Sequence, residues 1–512
     1  MKSKLLTFSI FLLISIFILS VGIVGAQSEK LNVALSGKAQ TLDPAFLQRS
    51  ISEWPIMNSI FSGLVKYKPG TYEVIPDLAK DWEFSEDNTK VTFYLKEGVE
   101  FQKGYGEVTA EDVEFSFERI IDSDNNSPEA NSFSKLEDVK VIDDYTVQLI
   151  LSEPMARLFT STLPYNAGLI VSKKAVQEMG KDKFASNPVG SGPYQFEEWK
   201  VSNNIVVSKF EDYFGQNAYM EKVEFIPMTE QMSQELALRS GEIDFGEVSL
   251  ENYDKIKENE NLKTNTAPDL AFQFIAFNVK NDPMDDPKLR EALRYIIDPE
   301  EILIGVFADQ ADLAYSWLLP DMLGYKKMPH KNMDEVEREK VLTLLEEAGY
   351  PNGEGLTLKY VTDANDERKT IATLIQAQLA EFNITLNIQA MEIGPKIEAW
   401  QAGDYHITYS RFGNTVDPGY CSQWFLSSQV GKWNLMHWSN EEYDQLWEEA
   451  EVTVNEEERA KLYHRMQEIV HDSNIAIWVT HGVKTPTWNK DLNVTLTPSG
   501  GILPWLVKNA NN

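Results

Sequence analysis

One cysteine, Cys421, is all the thiol chemistry available in 512 residues. It rules out an internal disulfide and any thiolate-rich metal cage, so the fold must rest on its hydrophobic core. Histidine is nearly as scarce: His330, His406, His437, His464, His471 and His481 form no H-E-x-x-H or H-x-x-x-H spacing, which removes the usual helical zinc motifs. No G-x-S-x-G turn is present to raise a serine nucleophile. Gly190 and Gly192 are not followed by Lys-Ser or Lys-Thr, so no phosphate-cradling loop is built there. Positive charge is short as well, with 47 Lys and Arg against 79 Asp and Glu and a net charge of −32. A polyanion of this size repels a phosphate backbone, which argues against a nucleic-acid partner. Carboxylates are so numerous that some pair could flank a glycosidic bond, but no spacing singles one out. The chemistry of a secreted hydrolase is therefore a distant alternative, and the chain reads as non-enzymatic, with no cofactor and no resident metal.

The N-terminus is distinctive. Lys2 and Lys4 precede an apolar run over 5–24, which ends in Val24-Gly25-Ala26. A positive start, an apolar stretch and a small-residue cleavage site predict a signal peptide over 1–26 and a mature chain beginning near Gln27. The run is also long enough to remain as a membrane anchor. No cysteine stands near the cleavage site, so a lipoprotein anchor is not available. The predicted compartment is periplasmic or extracellular. No later apolar run approaches the length of a spanning helix. A chain of this length predicts two to four domains.

Alternation or β-rich composition predicts strands over 30–35, 90–95, 146–151, 204–209, 356–361, 384–390 and 406–409. Helical periodicity is clearest over 110–120, 232–240, 287–297, 336–348, 368–382, 441–452 and 456–470. Thr109 followed by Glu111 and Asp112 marks a helix start, and Gly349 followed by Pro351 marks a stop. Asp285-Asp286 before Pro287 reads as a helix opening rather than a catalytic pair. Trp82, Phe84, Phe93, Tyr94 and Phe101 read as core residues of a hairpin. Met436-His437 reads as a packed or hydrogen-bonded histidine, with contact to a metal chelate as the sharper alternative. Alternating strands and helices after about residue 282 point to βα units and a partly parallel sheet.

Eight segments in fixed order carry a family resemblance. They are Leu42-Asp43-Pro44, Phe61-Ser62-Gly63-Leu64-Val65, Pro76-Asp77-Leu78-Ala79 running to Phe101, Thr109-Ala110-Glu111-Asp112, Asn187-Pro188-Val189-Gly190-Ser191-Gly192-Pro193-Tyr194, Gly241-Glu242-Ile243-Asp244, Asp286-Pro287-Lys288-Leu289-Arg290 and Ala348-Gly349-Tyr350-Pro351. In these the chain resembles the family 5 extracytoplasmic solute-binding proteins, the oligopeptide-, dipeptide- and nickel-type receptors of ABC importers. The resemblance implies an α/β, two-lobed periplasmic-binding-protein fold of the large cluster C type, with an extra domain inserted in the first lobe. It implies lobe 1 from 27–65, 187–271 and 485–512, the inserted domain over 66–186, and lobe 2 over 272–484. Crossings near 272–278 and 482–485 would form the hinge, and Gly190 and Gly192 a close crossing between domains.

The resemblance also places the ligand. A loop over Arg411, Phe412, Gly413, Asn414, Thr415 and Asp417 would enter the cleft, and aromatic residues around it, Trp400, Trp424 and Trp433 among them, would supply contact area. The segment Phe46, Gln48, Arg49 and Ser50, with Trp54, would form the facing wall, where an extended peptide can pair with backbone. In peptide-binding relatives an Asp in the first half of that loop holds the peptide's ammonium. Here the loop is one residue shorter, with Asn414 or Thr415 at that place, while Asp417 matches a later Asp-Pro that reads as a turn. The expected cargo is a peptide or oligopeptide, with oligosaccharide or chelated metal as alternatives. The expected partners are the membrane permease subunits of an importer, with the receptor itself a monomer.

Overall fold

A computed structural model describes residues 30–47, 53–200, 203–307, 310–331, 333, 335–413 and 415–510. The expected signal peptide and the expected contacts Gln48, Arg49, Ser50 and Asn414 lie outside the described residues. Three sheets organise the chain. The first has seven strands, in the order Tyr194–Trp199, Ile205–Lys209, Lys222–Pro227, Lys30–Leu35, Phe245–Glu247, Pro486–Asn489 and Leu262–Thr264. At its centre Lys30–Leu35 and Lys222–Pro227 run parallel, from Lys30 opposite Lys222 to Leu35 opposite Pro227. Phe245–Glu247 also runs parallel to Lys30–Leu35, with Val33 opposite Phe245.

The second sheet is antiparallel, ordered Ala79–Phe84, Lys90–Leu95, Thr146–Leu151 and Leu136–Asp143. One face packs on the helix Ala110–Ile121, where Val113, Phe117 and Ile120 are buried at helical spacing. The Asp112 carboxylate accepts the Thr109 backbone N–H at 3.0 Å and so closes the first turn. Phe93 and Phe101 are buried as the hairpin pattern predicts, but Phe84 is a correction, since it lies 47% exposed at the sheet margin. Its ring still meets Phe159 at 5.3 Å. One continuous hydrophobic core joins the first two sheets and makes a single body of them, the first lobe.

The third sheet is ordered Thr385–Met391, Thr357–Asp363, Ile407–Gly413, Ala271–Phe277 and Ala476–Thr480. All seven residues of Ala271–Phe277 are buried, because both faces of this strand are covered. Phe272, Phe274 and Ala276 enter one core with Trp317, Phe425 and Trp478, while Ile275 and Phe277 enter the opposite core. That second core also receives Leu289, Ala292, Leu293 and Ile296 from Pro287–Ile296, whose N-cap Asp286 accepts the Lys288 N–H at 2.8 Å. The helix Glu456–Asp472 begins on Asn455, which accepts the Glu458 N–H at 3.0 Å, and carries three glutamates in its first turn. These helices and the third sheet form the second lobe.

The chain passes between the lobes twice. Ala267–Pro268 follows Leu262–Thr264 out of the first sheet and leads into Ala271–Phe277; Val483–Lys484 returns from Ala476–Thr480 to Pro486–Asn489. The two crossings pair with each other, Ala267 opposite Lys484 and Pro268 opposite Val483. The second lies where the sequence places it. The first lies N-terminal to the expected 272–278, which the buried strand occupies. Within the first lobe, a Cβ on Gly190 would stand 2.1 Å from the Ile60 carbonyl oxygen, so the close backbone approach there requires glycine. Gln102, fully buried, ties that approach together by donating to the Ile60, Gly192 and Tyr194 carbonyls at 2.9, 3.1 and 2.8 Å.

Candidate functional site

A cavity opens where the carboxyl ends of the parallel strands Lys30–Leu35 and Phe245–Glu247 meet the crossings, with Val33 to Ser36 and Phe245 to Glu247 on its wall. Such strand ends are where open α/β sheets present ligands. The same wall carries Trp54 and Tyr165, stacked with ring centroids 4.4 Å apart at an interplanar angle of 21°. It also carries the strand Val65–Tyr67 and the turn after it. From the other side come Asp269, Leu270 and Lys484 on the crossings, and Thr415 and Val416 from the loop after Ile407–Gly413. The cavity therefore lies between the lobes.

Its charges are arranged mostly in pairs. Lys66 meets Asp77 at 2.8 Å, Lys68 meets Glu73 at 2.7 Å, and Asp269 is bonded to Arg411. Lys484 lies 3.9 Å from the other Asp269 oxygen. Burial pushes the Glu247 carboxyl above its usual range; Lys484 and Arg411 work against that rise and Asp269 adds to it.

A second pocket lies on the lobe 2 side, around Trp400, Phe412, Gly413, Tyr420, Trp424 and Trp433, with Arg368, Lys396 and Arg411 on its wall. Trp400 donates its indole N–H to Thr408 at 3.0 Å and lies under the Lys396 ammonium at 4.4 Å. Lys396 and Arg368 both bond Asp363. Phe412 packs edge-on against Trp424 at 5.7 Å and Phe274 at 5.4 Å, and Trp433 stays 40% exposed at the mouth.

The expected site residues divide among three places. Trp54 and Thr415 reach the inter-lobe cavity, while Trp400, Arg411, Phe412, Gly413, Trp424 and Trp433 gather in the lobe 2 pocket. Phe46 reaches neither. It lies in a separate groove with Phe115 and Arg119, under the Lys181 ammonium at 3.6 Å. Asp417 is a correction, because it is fully buried and cannot meet a ligand. Arg459 grips it at 2.7 and 2.9 Å, Thr160 of the first lobe donates to it at 2.6 Å, and it accepts the Gly419 N–H at 2.8 Å as the cap of Pro418–Ser422. Burial works against its charge, yet Arg459 holds the carboxyl below the usual range. His437 is packed, as expected, with Nε2 at 2.8 Å from the Trp400 carbonyl oxygen, and burial lowers its pKa. Asp43 of the Leu-Asp-Pro segment is likewise structural, bonded to Arg119 and to the Ala45 N–H at 3.2 Å.

Glu247, Asp269 and Lys484 were not foreseen. The available signal was Glu247 itself, a lone acid in the apolar run Phe245-Gly246-Glu247-Val248, three residues after a recognisable motif.

Among the described residues no helix is long and apolar enough to cross a membrane. The family described as bacterial extracellular solute-binding proteins, family 5 Middle, matches residues 73–433. The Dipeptide-binding protein of Escherichia coli (strain K12) is 27% identical over 462 residues, covering 82% of this chain and 83% of its own. Heme-binding protein A of Haemophilus influenzae is 29% identical over 475 residues, covering 86% of this chain and 85% of its own. Among solved structures, the periplasmic binding protein DppA from Helicobacter pylori, in complex with the peptide STSA, superposes with a TM-score of 0.77 at 25% identity, over 94% of this chain and 98% of its own. The fold is thus that of the two-lobed periplasmic binding proteins. Matched by the family over well more than half of its length, the chain belongs to family 5 of the bacterial extracellular solute-binding proteins, ABC-importer receptors that hold a solute without transforming it.

Proposed function

We propose that this receptor captures a peptide or oligopeptide in the inter-lobe cavity and delivers it to the membrane permease subunits of an ABC importer. The observation that carries the peptide reading is the strand Val65–Tyr67, which lines the cavity and has one partner strand, Val74–Pro76, among the described residues. An extended peptide beside such a strand gains main-chain hydrogen bonds whatever its side chains, and the Trp54–Tyr165 stack adds contact area. The domain division is the one the resemblance implies, with the paired crossings as hinge. Solute bound between the lobes contacts both only when they close, and this differential affinity shifts the population toward the closed state that a permease reads. The chain acts as a monomer outside the cytoplasmic membrane, after removal of residues 1–26.

Native mass spectrometry of the purified protein tests the reading. A retained mass that fragments as a peptide is expected, as is a rise in melting temperature on adding that peptide, which is recovered unchanged. A retained oligosaccharide would replace this reading with the second one, which the same stacked rings favour because sugars also lie flat on aromatic faces.

A further inference from the structure

We propose that Glu247 anchors a cationic group of the captured solute, a primary ammonium or a guanidinium; this deepens the peptide reading above and rests on it for the kind of solute that brings the group. Among the charged side chains of the described cavity wall, Lys66 and Asp77 satisfy one another, Lys68 is held by Glu73, and Asp269 is held by Arg411 with Lys484 nearby. Glu247 alone among them has neither a side-chain hydrogen bond nor an ion pair. Its backbone N–H donates to Gln234 Oε1 at 2.7 Å, which fixes the strand and leaves the carboxylate to the cavity.

A second, independent observation points the same way. Asp269 is 7% exposed, lines the same cavity, and has one carboxylate oxygen without a hydrogen bond, Lys484 being 3.9 Å from it. Two carboxylates thus present acceptor positions without a hydrogen bond to this cavity, where Lys66 and Lys68 are paired elsewhere and Lys484 comes no closer than 3.9 Å to Asp269. Taking a carboxylate out of water without a partner costs free energy, and a cationic donor placed between these groups recovers it. Burial accordingly holds the Glu247 carboxyl above its usual range, against the pull of Lys484 and Arg411. Beyond Asp269, the described lobe 2 side of the cavity offers no acid, because Thr415 and Val416 are uncharged and Asp417 is consumed by Arg459.

Calorimetric titration of tri-alanine, N-acetyl-tri-alanine, cadaverine and agmatine into the full chain and into Glu247→Gln tests the proposal. Tri-alanine should bind the native protein at least about thirtyfold more tightly than its acetylated form, the lower bound for truncating one side of a buried charge pair. Glu247→Gln should erase that preference while leaving the ligand-free melting temperature unchanged or higher, since an unpaired, half-buried charge is removed. If Glu247→Gln does not fold, Glu247→Asp keeps the anion and should keep the preference. Binding of tri-alanine regardless of acetylation, or a preference that survives Glu247→Gln, overturns the Glu247 assignment and leaves the peptide reading standing. Binding of the two amines alone, lost in Glu247→Gln, supports the cation site and overturns the peptide reading. Binding of none of the four overturns both.

Discussion

Replacing Thr160 by valine removes one hydroxyl and keeps the shape of the side chain. In the native chain that hydroxyl lies in Leu158–Thr162 of the first lobe and donates at 2.6 Å to Asp417 of the second. The acceptor is a fully buried carboxylate already paired with Arg459. A hydrogen bond to a charged group contributes about 1.5–3 kcal/mol net. Because the bond joins the lobes, its energy belongs to the closed arrangement, and losing it favours opening by about 10- to 150-fold. Solute affinity falls by up to the same factor although Thr160 does not line the cavity. Nearby inter-lobe contacts remain in the variant: the Ala156 N–H to the Glu451 carbonyl at 2.9 Å, and Arg157 with the Glu451 carboxylate at 3.3 Å. The closed shape should therefore persist once solute saturates the protein. The assay is calorimetry with the retained solute, alongside small-angle scattering with and without it, using Thr160→Ser as the variant that restores the hydroxyl. Affinity of Thr160→Val within twofold of the native value would refute the reasoning and mark this contact as one that persists in the open state.

Gly190→Ala should lower stability by about 3 kcal/mol or more, because its new methyl meets the Ile60 backbone at 2.1 Å; denaturant titration reads the loss. Gly394→Ala, in the helix Ile393–Ala402 with open space around the new methyl, should instead gain up to about 1 kcal/mol by the same measurement. Gln102→Leu removes the side-chain donor to the Ile60, Gly192 and Tyr194 carbonyls and the acceptor of the Gly190 N–H, leaving Ile60 only its bond from the Gly192 N–H, and should cost about 3–5 kcal/mol with a matching fall in melting temperature. Burial lowers the pKa of His481 to about 4, so as pH falls below the ordinary 6.5 the unfolded chain takes up the proton first. Its contribution to stability is lost between those values and amounts to about 3 kcal/mol. Melting temperatures of native protein and His481→Phe across that window should diverge in slope, the variant being the flatter.

Where one physical signal dominated, the chain was easy to read. The helices Glu441–Val452 and Glu456–Asp472 combine a capping asparagine, acidic first turns and a periodic buried face, and their starts fall where the pattern puts them. The strands Lys30–Leu35, Lys90–Leu95 and Thr146–Leu151 alternate and match to the residue. Ala271–Phe277 hides for the opposite reason: buried on both faces, it has no alternation to detect, and the first crossing was misplaced onto it. The site was harder because its walls come from segments far apart in the chain. Trp54 came within reach through the family resemblance, but Glu247 and Lys484 share a wall only because Glu247 pairs with Pro486, two residues beyond the returning crossing. Asp417 misleads since a turn acid and a buried ion-pair acid look alike until Arg459, 42 residues on, is placed beside it.

The place of Pro486–Asn489 in the first sheet bears on the order in which the first lobe can fold. That strand sits between Phe245–Glu247 and Leu262–Thr264, and each pairs with it rather than with the other. Until the ribosome has passed residue 489, the sheet that forms one wall of the cavity stops at Phe245–Glu247, with the edge strand Leu262–Thr264 detached and unpaired backbone on both sides of the gap. Pairing across so long a stretch of chain is slow even when all its parts exist, since loop closure comes before the contacts that reward it. The first lobe cannot lock while Pro486–Asn489 is unmade, so the wall that this strand completes is among the last parts of the lobe to form.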